Sequence, residues 1–448
     1  MRYIPNTDAD IKRMLKEIGV RDISELFGAV PNKFLLDKDL DLPSALSEID
    51  LRTVMERLGE KNAYAGSYKS FLGGGAYNHF IPAVVRSIVS RSEFYTSYTP
   101  YQPEVSQGTL QAMFEFQTLM CELFGMDVSN ASMYCGASSA AEAVLMALRI
   151  KKGGTVIVSE TVHPEYRRVI ETYCGNPTAA IVEVPYDPNG ATDRDRLKEM
   201  LDDDTAAVVI QSPNFFGIIE DLEELVKLVH EKVALFISLF TEPVSFGLLK
   251  PPGELGADIC CGEGQSLGIP VGFGGPHLGI LTVKEKFLRN LPGRIVGRTH
   301  DDRGRDAYVL TLTAREQHIR RGKAKSNVCT NEGLCALIAT VYLEGLGKTG
   351  IRKLAGTNHS RAEYAKKKLL EVEYADLGFG GPSFNEFVLR LGRDPNEVVN
   401  RLLEKKIIAG IPLGSRYPAL KDCLLVTVTE LLTREDIDAL SDAMKDLE

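Results

Sequence analysis

Apolar residues in the first sixty positions recur at helical spacing. Ile11, Met14, Leu15 and Ile18 fall on one face, Thr7 and Asp10 are placed as a capping box, and Gly19 is a stop. A second amphipathic stretch begins just after Pro43 and runs from about Ser44 to Leu58. Residues 1–60 are too short to fold alone and read as a helical arm, its apolar faces covered by the main body or by another chain. Periodicity then fades. Residues 66–108 form a glycine-rich, aromatic loop region, with only Ile81 to Ile88 compatible with helix. Irregular segments of this length are uncommon in compact proteins and usually functional.

From Leu110 the pattern becomes an alternation of helix and strand. Helices are expected from Leu110 to Phe124, ending at Gly125, and from Ser138 to Ile150. Short apolar, β-branched runs follow at Val156–Val158, Ala180–Val184, Ala207–Ile210, Leu235–Ile237, Asp258–Cys260 and Gly279–Val283, the first four separated by helical stretches. This order predicts a mostly parallel sheet covered on both faces, an α/β large domain over 61–345. Beyond about Gly350 the order changes. A basic amphipathic helix at His359–Leu370, strands at Glu386–Arg390 and Leu424–Val428, and helices at Asn396–Lys405 and Arg434–Lys445 predict a small C-terminal α+β domain over 346–448.

Composition narrows the class without naming a reaction. The 448 residues are 44% apolar and 25% charged, with a net charge of −9. A mildly acidic chain without a basic run is a poor general binder of nucleic acid or anionic membrane. Apolar stretches such as Ala206 to Ile210 fall far short of the ~20 residues of a spanning helix, and the first eight residues lack the apolar core of a signal peptide. A cytoplasmic globular protein is expected. The eight cysteines form no CxxC pair and several lie in apolar runs, so they are expected to be buried thiols; the seven histidines are scattered, and no metal site is expected.

Four segments are candidates for chemistry. Tyr134-Cys135-Gly136-Ala137-Ser138-Ser139 leads into a helix whose first turn suits an anion, although Ser138 or Ser139 as an ordinary cap explains it as well. Gly262-Glu263-Gly264-Gln265-Ser266-Leu267-Gly268 imitates a dinucleotide fingerprint, but the spacing is GxGxxxG and Ile269-Pro270 follows at once. The following Gly272–Gly279 run looks like a close backbone turn. The loop holding Tyr95, Tyr98, Tyr101, Gln102, Glu104 and Gln107 reads equally as a small-molecule pocket, a protein interface or an aromatic loop packed on its own sheet. Thr313–Lys325 is rich in cations that suit a phosphate or carboxylate, or a solvated helical face with Glu316–Arg320 pairing.

In order along the chain, the Gly73 loop, Tyr98-Thr99-Pro100-Tyr101-Gln102-Pro103-Glu104-Val105-Ser106-Gln107-Gly108, Asn130-Ala131-Ser132, Gly264-Gln265-Ser266 with Gly274-Gly275-Pro276, and Arg315-Glu316-Gln317-His318-Ile319-Arg320-Arg321 carry a resemblance. Over nearly its whole length the chain resembles the P proteins of the glycine cleavage system, in particular the α chains (subunit 1) of the split glycine dehydrogenase (decarboxylating). The resemblance implies a fold-type I pyridoxal-phosphate architecture, an aminotransferase-like oxidoreductase subunit working in glycine catabolism. It implies glycine as substrate, decarboxylated through pyridoxal phosphate, with the aminomethyl group passed to the lipoyl arm of the H protein. It further implies a β-chain partner (subunit 2), two of each chain.

One departure bears on what this chain does alone. In the catalytic β-type sequences the cofactor lysine precedes a Pro and a glycine run; in that register this chain has Gln265, with Pro270 and Gly274-Gly275 aligned. An amide forms no imine. The family's cofactor-orienting Asp is also missing around Ser238–Glu242. The resemblance therefore implies that pyridoxal phosphate is bound on the partner chain, with none covalently on this one. Tyr95, Tyr98, Thr99, Gln102, Glu104 and Ser106 would line the partner's pocket, and Arg315, Gln317, His318 and Arg320 would tie the chains together or contact the cofactor phosphate. The alternatives are a self-sufficient enzyme using Lys323 or Lys325, and a purely structural or regulatory subunit.

Overall fold

The computed structural model describes residues 5–36, 38, 40–151, 153–175 and 179–447. It divides into two compact units, Met1–Asn62 and Ala63–Glu448.

In the first unit the capping box of Thr7 and Asp10 starts helix α1 (Asp8–Ile18), and Gly19 ends it at φ 87°. Helix α2 (Glu48–Gly59) begins later than the apolar pattern suggests, because the Ser47 hydroxyl accepts from the Asp50 N–H and fixes the start there. No residue of either helix is buried, and Leu42, Ile49 and Met55 are exposed.

The second unit is built on a seven-stranded sheet of β1 (Val128–Ser129), β2 (Thr155–Ser159), β3 (Ala180–Val184), β4 (Thr205–Gln211), β5 (Leu235–Phe240), β6 (Ile259–Glu263) and β7 (Gly279–Val283), in the spatial order 1-7-6-5-4-2-3. Strands β2 to β6 pair in parallel, and β7 runs antiparallel to both β6 and β1. Every residue of β4, β5 and β6 is buried. The period of two sorts their side chains between two faces. Val156, Val158, Val209, Ile237 and Cys261 pack with Ala140, Val144 and Ile170 of helices lying over one face, while Ile157, Val208, Ile210 and Phe236 pack with Leu197, Leu225 and Val229 on the other.

The unit's helices begin with α3 (Ala83–Val89), α4 (Gln107–Phe124), α5 (Gly136–Ile150), α6 (Pro164–Cys174), α7 (Arg194–Met200) and α8 (Leu222–Glu231). After the sheet comes a hairpin of β8 (Ile295–His300) and β9 (Asp306–Thr311) that the apolar pattern does not announce. Only Ile295 and Val296 of β8 are buried, and the exposed remainder hides the alternation. Helix α9 (Gly333–Leu369) is far longer than the expected 359–370 segment and runs across the expected boundary at 345–346; it is interrupted at Gly347, where φ is 58° and ψ −179°. Among the described residues this is the one helix long and apolar enough, by length and composition alone, to cross a membrane. Cys335, Ala336, Leu337, Ala339, Tyr342 and Leu343 of its first half are buried in protein core. A four-stranded antiparallel sheet of β10 (Ala375–Leu377), β11 (Glu386–Leu391), β12 (Ile411–Pro412) and β13 (Cys423–Thr427), in the order 10-11-13-12, follows with α10 (Pro395–Glu404) and α11 (Arg434–Lys445). The capping box of Thr433 and Asp436 starts α11, as its spacing predicts.

All eight cysteines are free; five are buried, Cys121 and Cys135 half-buried and Cys329 exposed, so not all are core thiols. No group of three or more His, Cys, Asp or Glu among the described residues is placed to hold a metal ion.

Candidate functional site

In parallel α/β sheets ligands bind beyond the carboxyl ends of the strands, and here those ends deliver His163 after β2, Gln211 from β4, Thr241 and Glu242 after β5, Glu263 from β6 and Gln265 just after it. All but His163 are fully buried. The segment 73–79 lies across them and hydrogen-bonds four of them, His163, Thr241, Glu242 and Gln265. Gln265 is held at both ends of its amide. Its Oε1 accepts from the Tyr77 N–H at 2.8 Å, and its Nε2 donates to the carbonyls of Tyr77 at 3.0 Å and Ile269 at 2.6 Å. The Tyr77 hydroxyl donates to Glu386 Oε2 at 2.7 Å and meets Thr241 Oγ1 at 3.0 Å. Glu386 also accepts from the Gly74 N–H at 2.7 Å and the Thr427 hydroxyl at 2.8 Å.

The glycines of this segment are required by space and backbone shape. A Cβ on Gly73 would run into Thr427 Oγ1 and stand 2.5 Å from Glu386 Oε1, and Gly75, at φ 107°, would press one onto the His163 ring. His163 donates from Nε2 to the Gly74 carbonyl at 2.7 Å while Nδ1 accepts from the Glu165 N–H at 3.2 Å. Those partners assign the neutral Nε2–H tautomer, and burial pushes the ring's pKa down to about 4.

The same end of the sheet contains three buried acids with distinct roles. Burial raises Glu386 to about 7. Glu242 faces His79, whose ring lies 2.9 Å from Glu242 Oε2 and 2.8 Å from Glu430 Oε2. Burial disfavours the charged ring, but the two carboxylates override it and raise His79 to about 10. Glu263 occupies the start of α5. Its Oε2 accepts from the Gly136 N–H at 2.9 Å, and its Oε1 accepts from the N–H groups of Gln265 and Leu278 at 3.0 and 2.8 Å. The cap of α5 is Cys135, whose thiol accepts from the Ser138 N–H while the Ser138 hydroxyl accepts from the Cys135 N–H. Capping is therefore the right account of this turn, with Ser138 as its third residue and not the cap itself.

These residues do not fit a phosphorylated pyridine cofactor. Position 265 offers an amide already bonded on both sides. The helix start where a phosphate would be attracted holds a carboxylate, and Thr241 just after β5 offers a hydroxyl, bonded to Tyr77 and Gln211, and not a carboxylate.

The two sequence blocks lie elsewhere. Tyr95, Tyr98, Gln102 and Glu104 are exposed, Thr99 and Ser106 half-buried. Tyr95, Tyr98 and Thr99 line a cavity of about 380 Å³ together with Arg294, Asn331 and Glu332, which the sequence pattern did not single out. Gln102, Glu104 and Ser106 are not among its lining residues. Gln107 anchors the loop by exchanging hydrogen bonds with the Tyr308 backbone at 2.9 Å each. Arg315 is committed within the chain, donating to the carbonyls of Leu291, Gly293 and Leu312. Gln317, His318 and Arg320 lie on an exposed four-residue helical turn, and Arg320 donates to the Ala314 carbonyl at 3.0 Å where pairing with Glu316 was expected. Lys323 is exposed, and Lys325 donates to the Arg289 carbonyl and to Asn290. The signal for Arg294 was slight, a single cation ahead of the apolar pair Ile295-Val296. Glu263 lay inside the Gly262–Gly268 segment and Tyr77 inside the glycine-rich region 66–108 without being singled out, and His163 and Glu386 gave no signal of their own.

Strand order, the antiparallel seventh strand and the second small sheet define a fold-type I pyridoxal-phosphate architecture. The fold is shared at 14% identity with the glutamate decarboxylase of Lactobacillus brevis, with a TM-score of 0.67 over 94% of this chain and 98% of that one. The model of the glycine cleavage system P-protein family matches residues 1–444, and the chain belongs to that family. It is 51% identical to a probable glycine dehydrogenase (decarboxylating) subunit 1 of Geobacillus kaustophilus over 99% of both chains, and 49% identical to that of Desulfitobacterium hafniense over the whole of both. A crystal structure of glycine decarboxylase (P-protein) of the glycine cleavage system, in inhibitor-bound form, is similar over the full length of both chains, with a TM-score of 0.91 and 43% identity.

Proposed function

We propose that this chain is the subunit of a P protein that does not carry the cofactor, and that it works only when paired with a β chain that does. In the assembled enzyme, two of each chain in the cytoplasm, pyridoxal phosphate on the partner supplies the electron sink for glycine decarboxylation, and the aminomethyl group goes to the lipoyl arm of the H protein. The observation that carries this reading is Gln265. Its amide is hydrogen-bonded on both sides to Tyr77 in the segment that crosses the strand ends, so no amine is present there and the side chain is already committed within this chain.

This chain's contribution is then made through exposed groups. Tyr95, Tyr98, Thr99, Gln102, Glu104 and Ser106 complete the partner's pocket, and Gln317, His318 and Arg320, on an exposed turn, meet the partner or its cofactor phosphate. Arg315 acts by fixing the Leu291–Gly293 carbonyls on which that surface is built. Cofactor absorbance tests the proposal. The chain alone, mixed with pyridoxal phosphate, should develop no visible imine band that borohydride removes, whereas the pair with its β chain should. A borohydride-sensitive band on the isolated chain would overturn it. Unchanged glycine decarboxylation by a Tyr98→Phe or Glu104→Gln pair would remove that residue from the contributing set.

A further inference from the structure

Arg294 is a buried cation without a counter-ion. It sits just ahead of β8 and is 4% exposed. Its guanidinium makes three hydrogen bonds, all to neutral oxygens: Nη1 to Asn331 Oδ1 at 3.3 Å and Thr99 Oγ1 at 3.5 Å, and Nη2 to the Tyr101 hydroxyl at 3.2 Å. The Tyr101 ring also faces it at 5.4 Å. A guanidinium has five N–H groups, so an Nη2–H and the Nε–H remain, and Nε is buried with no partner. No carboxylate among the described residues comes within the 4.0 Å of an ion pair. Glu332, on the wall of the same cavity, is not that partner, for burial raises its pKa with no cation to offset it.

A buried charge left unpaired is costly unless something else meets it. Two further features of the same 380 Å³ cavity favour a negative guest. Helix α9 starts there with Glu332 at the cap position and no side-chain cap bond, and Gly333 and Leu334 of its first turn line the cavity. Beneath them the backbone is held in an uncommon shape. Ser132 has φ 123°, and its hydroxyl accepts from the Glu332 N–H and from Asn331 Nδ2, both at 3.1 Å. The cavity is the size of a small-ligand site.

We propose that Arg294 and the uncapped start of α9 form a binding site for a carboxylate. The carboxylate comes either from a small free acid or from an acidic side chain of the partner chain. Only the second source rests on the proposed function; the first is measured on this chain alone.

The test is calorimetric titration of the full chain with sodium acetate against chloride at constant ionic strength. It is repeated for Arg294→Gln and for Thr99→Asp, which places a carboxylate of the chain's own beside Nη1. Saturable acetate binding is expected in the wild type, weaker by at least about tenfold in both variants. Should Arg294→Gln fail to fold, as judged by circular dichroism, Thr99→Asp decides alone. The titration is then repeated on the assembled pair. Acetate binding that survives assembly assigns a free acid. Acetate excluded by assembly, or absent throughout, with Arg294→Gln or Thr99→Asp weakening the pair by at least about tenfold, assigns the partner's side chain. Acetate binding undiminished in the folded variants overturns the proposal. So does no acetate binding together with unchanged assembly. Imine absorbance of the pair is read separately, so failure of the subunit assignment is distinguishable from failure of this site.

Discussion

Replacing Gln265 by lysine restores the amine that catalytic relatives of this fold use, and the geometry says it will not restore a cofactor site. The new ammonium can still donate to the carbonyls of Tyr77 and Ile269, as the amide does at 3.0 and 2.6 Å. It cannot accept, so the Tyr77 N–H, whose bond to Gln265 Oε1 is 2.8 Å, loses its partner in a place where Tyr77 is 1% and residue 265 only 2% exposed. An orphaned buried donor costs about 1–3 kcal/mol. Burying the ammonium adds a penalty of similar size even with neutral acceptors at hand. Gln265→Lys should therefore be less stable than the wild type by about 2–5 kcal/mol, read as a lower urea midpoint at unchanged slope. On addition of pyridoxal phosphate it should show no borohydride-sensitive visible band, because segment 73–77 still covers the strand ends. A variant of wild-type stability that takes up the cofactor would refute the reasoning, since it would mean that only the amine was missing and the space was there.

Three further outcomes follow from the same network. Glu386 ordinarily titrates near 4.5 and in the fold is raised to about 7 by burial, so the stability it contributes is complete below 4.5 and is lost as pH rises through about 7. Urea midpoints of the wild type should fall between pH 5 and 8, and those of Glu386→Gln should fall less. His79 is raised from 6.5 to about 10, so its contribution is whole below 6.5 and disappears as pH climbs through about 10. His79→Gln leaves Glu242 and Glu430 facing each other without the cation, and should lose about 3–5 kcal/mol at pH 7 in the same assay. Gly73→Ala forces a methyl onto Thr427 Oγ1 and Glu386 Oε1 and should cost about 1–3 kcal/mol, seen as a lower melting temperature.

Where one physical effect dominated a segment, the sequence was a reliable guide. Thr7–Asp10 and Thr433–Asp436 are capping boxes because the reach of a short side chain to the third N–H is a local matter. Strands β2, β4 and β5 were legible because their middles are buried on both faces and made of apolar or small residues. Helix α9 was half-missed for the opposite reason. Its first half is buried among α3 and α4 and carries no polar face to set a period, and the change of texture expected at about Gly350 falls in mid-helix. The hairpin β8–β9 is stabilised by pairing between strands that are mostly exposed, so it left no alternation to follow. The Gln265 substitution was visible as a missing lysine. What the amide does was not, because its partners are backbone groups of residues 77 and 269, one of them 188 positions away.

Loss of a lysine alone leaves an open question about any retained pocket, and the rest of the network answers it. If only the amine had gone, the strand ends would still need a guest for a free helix N-terminus and for buried acids with no partners. Here each of those groups is matched from within the chain: Gly136 N–H by Glu263, Glu386 by Gly74, Tyr77 and Thr427, and Glu242 by His79 and Ser266. Matched groups gain nothing from a ligand and lose bonds if one enters. The tyrosine-lined cavity differs in kind. There Arg294 keeps a buried Nε–H without a partner and α9 begins without a side-chain cap, so among the described residues this cavity beside Tyr98 and Thr99 joins an unmatched cation to an uncapped helix start. A ligand or a neighbouring chain has free energy to gain at that face. Substitutions at Arg294 and Thr99 should therefore alter binding more than folding, and those at Gln265, Glu386 and His79 folding more than binding.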